Sequence, residues 1–110
     1  MDSNTDQIAA LAKYIASARE FAALRQAKAD IANDAALSAR LARFEQKQKL
    51  FNNQNLPESQ RNQIYNELNS EYAAMNAIPA LNRYFAAAGA FSEYINGVFE
   101  SVAEAVNWYL

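Results

Sequence analysis

Cysteine and histidine are both missing from the 110 residues. Without cysteine there is no disulfide, no thiolate nucleophile and no sulfur ligand. Without histidine the chain lacks the side chain that naturally titrates near neutrality, and zinc sites of the usual ligand types cannot be assembled. These two absences close most catalytic repertoires, so the chain reads as not an enzyme, with no cofactor, no metal and no catalytic residue. Glycine and proline occur only twice each, far too seldom for a turn-rich β protein of this length. No apolar run approaches the length that spans a bilayer. The opening Met1-Asp2-Ser3-Asn4-Thr5-Asp6 is acidic and polar where a secretory signal is basic and then apolar. A cytoplasmic protein with no membrane insertion is expected. A formal charge of −2 supplies no field that would draw in nucleic acid or an anionic membrane.

What remains is helix-forming material. Hydrophobic residues make up 52% of the chain, but many are alanines, which favour helix and bury little area each. The core must come from Leu, Ile, Phe, Tyr, Val and the single Trp108. The punctuation divides residues 1–110 into one helical domain with helices at about 6–16, 18–32, 35–52, 58–75 and 79–108. Asp6 is placed to cap the first, whose apolar positions Ile8, Leu11, Ala12 and Ile15 recur at helical spacing. Ser17 followed by Glu20 has the form of a capping box and opens a second, with Phe21, Leu24, Ala27 and Ile31 on one face. Asn33-Asp34 ends that pattern, and Asp34 is placed to cap the third. There Leu37, Leu41, Phe44, Gln48 and Phe51 follow the spacing of a heptad seam, with Gln48 as a polar seam residue reaching water near the helix end.

The run Asn52-Asn53-Gln54-Asn55-Leu56-Pro57 is the clearest loop. The fourth helix carries Ile64, Leu68, Tyr72 and Met75 with Tyr65 beside them, so helices three and four form a long antiparallel hairpin. Pro79 opens the fifth. Leu81, Tyr84, Ala88, Phe91, Ile95, Val98, Val102, Ala105 and Tyr109 alternate steps of three and four, and Phe85, Phe99 and Val106 widen the stripe. Asn96-Gly97 ordinarily suggests a helix end, yet the phase runs unbroken across Gly89 and Gly97. An uninterrupted helix there is about 45 Å long at ~1.5 Å per residue, against about 26 Å for a compact chain of this size. Such a face needs more than one neighbour. The expected architecture is an elongated all-α bundle that is oligomeric, a homodimer or higher, with Leu81, Tyr84, Phe85, Phe91, Ile95, Val98, Phe99 and Val102 as candidate oligomer or partner interface. The apolar Trp108-Tyr109-Leu110 is expected to be tied down against the body or a partner chain.

Other candidate chemistry is thinner. Glu67 with Glu71, and Glu100 with Glu104, stand four residues apart on single faces. A diiron bundle would need histidine beside such pairs, so solvated surface is the preferred reading. Arg40, Arg43 and Lys47 make a basic stripe on helix three that offers phosphate contact, but Glu45 interrupts it and three charges supply little of the electrostatic term in nucleic-acid binding. Aromatic residues at helical spacing are read as core or interface ahead of a ligand cage.

In order, several segments carry a likeness: Ser17-x-x-Glu20-Phe21-x-x-Leu24-x-x-Ala27, then Asn33-Asp34-x-x-Leu37, then Phe44-x-x-Lys47-Gln48, then Pro79-x-Leu81-x-x-Tyr84-x-x-Ala87-x-x-x-Phe91. Together, from about Ile8 to Val106, they resemble the YlbF/YmcA family of small bacterial helical proteins, the group that also contains YheA. The chain departs from the family's habit at Ile78, where asparagine often precedes the proline, and at Ala88, where a glutamate is common. The resemblance implies an intertwined helical oligomer with a regulatory role in competence, sporulation and biofilm development. It also implies, for some members, a complex that influences messenger-RNA processing by a membrane-attached endoribonuclease. Certain of those members use cysteines to hold an iron–sulfur cluster, which does not carry over to a chain without cysteine. The resulting expectation is a non-enzymatic regulatory adaptor working through helical protein–protein contacts, with other regulatory proteins as further partners. The alternative is an RNA-processing accessory factor using the weak basic stripe.

Overall fold

A computed structural model describes residues 3–53 and 55–110. Among them lie five helices and no strand: α1 Ser3–Ala16, α2 Arg19–Ala32, α3 Ala35–Phe51, α4 Glu58–Asn76 and α5 Pro79–Asn107. The last is a single helix of 29 residues, about 43 Å long. It passes through Gly89 and Gly97 without a positive φ at either.

Local chemistry explains most of the boundaries. Asp34 sits in extended backbone before α3, and its carboxylate accepts from the amides of Ala36 and Leu37, each at 3.1 Å. Two of the orphan donors at that helix start are thereby satisfied. Pro79 opens α5, where a missing N–H costs nothing. Asn82, one turn into α5, donates its side-chain amide to the Asn76 carbonyl at 3.2 Å and to its side-chain oxygen at 2.9 Å, so it closes the end of α4. Arg61 holds the turn after α3. Its guanidinium donates to the carbonyls of Phe51 and Asn53 at 3.1 and 2.8 Å and lies 5.3 Å from the Phe51 ring centre.

Two expected caps are different in the structure. α1 begins at Ser3, which leaves Asp6 inside the first turn; there its charge meets the positive end of the helix dipole in place of capping it. Ser17 does not reach forward to α2. Its hydroxyl donates back to the Tyr14 carbonyl at 2.7 Å, closing α1, while Glu20 faces Arg19 at 3.9 Å. A serine between two helices can satisfy either end, and sequence spacing does not decide which.

The chain divides into two compact units, one of residues 1–27 with 84–110 and one of residues 28–83. The second owns nearly all of the core: Ile31, Leu41, Phe44, Met75 and Leu81 are buried there, Met75 and Leu81 almost completely. Within it α3 and α4 run antiparallel. Phe44 meets Tyr72 with ring centres 6.4 Å apart, and Phe51, two turns on, meets Tyr65 at 6.0 Å. Gln48 of the seam is exposed, as a polar residue near a helix end should be. In the first unit α1, the start of α2 and most of α5 associate, with Phe21 and Phe91 5.8 Å apart and Phe91 and Tyr94 6.5 Å apart.

Candidate interaction surfaces

The long helix distributes its apolar stripe unevenly. Leu81 is wholly enclosed in the second unit, with no exposed area, so the chain's own core consumes it and it is not open to a partner. Tyr84, Phe85, Phe91, Ile95 and Val98 are half-buried, while Phe99 and Val102 are exposed. The stripe therefore opens toward solvent as α5 advances. Val106 is exposed as well, and Trp108, Tyr109 and Leu110 stand in solvent; the expected tether of those three to the subunit's own body is not made.

The exposed part of α5 borders a groove in the first unit. Leu11 and Tyr14 of α1 form one wall, and Tyr94, Val98 and Val102 of α5 form the other. Gly97, Ser101 and Ala105, spaced one turn apart, leave room between them, and the opening measures about 630 Å³. Among the described residues no charged side chain lines it. Burial first, and then the neighbouring Tyr14 hydroxyl, raise the Tyr94 phenol above its ordinary value of 10.0. Tyr14 and Ser101 were not marked by the sequence, because an apolar stripe on α1 does not say which flank of α5 it will meet.

The basic stripe is assembled, but not as a bare cationic surface. Arg40, Arg43 and Lys47 line one depression of about 240 Å³ together with Glu71. Lys47 donates to Glu71 at 2.8 Å and pairs with Glu67 at 3.4 Å. The hydrogen bond to Glu71, and after it the contacts with Glu67, hold the ammonium above its usual value of 10.5 against the opposing effect of desolvation. The Glu67 and Glu71 pair, expected to be merely solvated, thus bridges α4 to α3. With Lys47 already neutralised, two guanidiniums remain, which is little for a phosphate backbone.

A second cleft, of about 430 Å³, lies on the other flank of the same helix pair. It is lined by Phe44, Phe51, Tyr65, Leu68 and Tyr72 with the amides of Gln48, Asn52 and Asn69. Among the described residues no buried side-chain nitrogen or oxygen lacks a partner, and no group of three or more His, Cys, Asp or Glu is positioned to hold a metal. An iron–sulfur cluster does not fit this chain, which has no thiolate to ligate it. No described helix is long and apolar enough to cross a membrane.

The surfaces described are thus an apolar groove beside α5, an ion-paired basic depression on α3 and an aromatic cleft between α3 and α4. No curated protein and no solved structure matches the chain. One family model does, described as control of competence regulator ComK, YlbF/YmcA, and it matches residues 5–107. Spanning nearly every helix of the fold, that match means that the chain belongs to the YlbF/YmcA family, a family of regulators.

Proposed function

We propose that the protein is a non-enzymatic cytoplasmic regulator that acts in the control of bacterial competence by holding protein surfaces against its helices, beginning with a second copy of itself. The observation that carries this reading is the uncovered second half of α5, where Phe99, Val102 and Val106 face solvent. Contiguous apolar faces of that kind mark interaction sites in water-soluble chains. The family description supplies the process, control of the competence regulator ComK. Sporulation and biofilm development belong to the same reading as further outputs of one regulator.

Two measurements test it. In a competent bacterium deleted for its own family member, expression of this chain should restore ComK-dependent transformation. Stable expression without restoration refutes the assignment to competence. Light scattering on the purified protein should give a mass of at least two copies at micromolar concentration, and a monodisperse monomer refutes the assembly.

A further inference from the structure

Arg40, Arg43 and Lys47 follow Ala36 at steps of four, three and four, so these residues share one face of α3. Ala39 lies beside them and, like Ala36 and Arg43, is exposed. The face is therefore a short basic stripe that begins among small side chains, over which another helix can come close.

Its charges are unevenly satisfied. Lys47 is committed to Glu71 and Glu67 across the hairpin, at 2.8 and 3.4 Å. Glu71 lines the same depression as Arg40 and Arg43, yet among the described residues no carboxylate pairs with either guanidinium. The recess these side chains surround measures about 240 Å³. Arg40, Arg43, Lys47 and Glu71 are all ionised near neutral pH, so it suits an ionic occupant.

The charge balance selects the occupant. Three cations against two carboxylates leave the cluster one positive charge in excess. One carboxylate cancels it. A phosphate dianion overshoots and sets its second charge beside Glu71, and a nucleic-acid strand, charged at every phosphate, runs on past Glu67 and Glu71 as well. The planar fork of a guanidinium matches the two oxygens of a carboxylate. Such a pair is worth little on an open surface and more where a partner excludes the water. A helix that carries the carboxylate excludes water over Ala36 and Ala39 at the same time, which a free ion does not.

We infer that the recess between Arg40 and Arg43 receives a single aspartate or glutamate side chain from a helix of a different protein laid along α3. This rests on the reading that the chain works by holding protein surfaces, and it names the chemistry of one such surface.

Two arms test it. In the first, isotope-labelled protein near neutral pH is titrated with sodium acetate, with sodium chloride at matched ionic strength and with sodium phosphate, while the arginine Nε–Hε signals are followed by nuclear magnetic resonance. Those of Arg40 and Arg43 should shift together and saturate with acetate, and those of Arg25 and Arg83 should only follow chloride. Arg43→Gln should abolish the saturable shift at Arg40, and Arg43→Lys should keep part of it. Arginines that all drift alike, or phosphate that saturates the pair at a lower concentration than acetate, overturn the inference.

The second arm identifies the source. In the complemented bacterium described above, p-benzoylphenylalanine replaces Ala39, and the light-induced adducts are mapped by mass spectrometry of the joined peptides. They should fall within a helical turn of an aspartate or glutamate on one partner protein. Arg43→Glu should remove them, and changing that partner carboxylate to arginine should restore them. Adducts confined to copies of this chain, to RNA or to segments without acidic residues, or no adduct in a strain whose competence is restored, overturn the inference even where acetate binds. Adducts that fall beside a carboxylate in a strain whose competence is not restored refute the process assigned above and leave the recess assigned.

Discussion

Leu81 separates the two roles that one helical stripe can play, and Leu81→Ala measures the difference. The side chain is completely removed from water in the core of the 28–83 unit. Truncation deletes three carbon atoms, worth about 0.8 kcal/mol each in transfer free energy. Neighbours relax only partly around the void, so the full loss falls within the ~2–5 kcal/mol seen for such changes, and about 3 kcal/mol is expected. In a chain of this size that lowers the thermal midpoint by about 12 °C or more. Urea unfolding followed by circular dichroism at 222 nm should show a lower midpoint with an unchanged slope, because the surface exposed on unfolding is nearly the same. The loss should also be independent of protein concentration. Phe99→Ala is the counterpart. Phe99 is more than half exposed, so little is lost within the chain, and its cost should grow with concentration as assembly adds to stability by mass action. A change below about 1 kcal/mol for Leu81→Ala, or one that vanishes on dilution, refutes the assignment of Leu81 to the chain's own core.

Asp34→Ala removes an acceptor shared by two amides at the start of α3. It should cost about 1 kcal/mol, while Asp34→Asn keeps the acceptor and most of the stability, both read by urea unfolding. Lys47→Met breaks the bridge from α3 to Glu71 and Glu67. Because the fold raises the Lys47 pKa above 10.5, the wild type's advantage over the variant should be fully present below pH 10.5 and close as pH rises through the higher folded value. An advantage that persists unchanged in strong alkali would show that the ammonium is not its source. The effect should be modest, since all three side chains remain in contact with water.

How far the sequence reaches depends on the range of the interaction. The Asp34 cap and the Pro79 helix start were legible because each is settled within one helical turn. Asp6 and Ser17 were misread at the same range because a short polar side chain has more than one local partner to choose from. Lys47 and Glu71 are 24 positions apart, and their meeting depends on the register of α3 against α4. A basic stripe and an acidic pair, read separately, therefore gave no sign that each answers the other.

Composition and periodicity were enough for the all-α class, the five helices and the lack of histidine and cysteine chemistry, and the order of short motifs along the chain carried the resemblance to the family. All of these are properties of local spacing or of residue type, and they do not depend on which helix becomes a neighbour. Only the tertiary structure distinguished Leu81, enclosed within its own unit, from Phe99 and Val102, left facing water on the same stripe. Helical spacing shows that a face is apolar. What covers that face is decided by the packing of distant segments, and here the packing is completed around Leu81 and left open along the second half of α5.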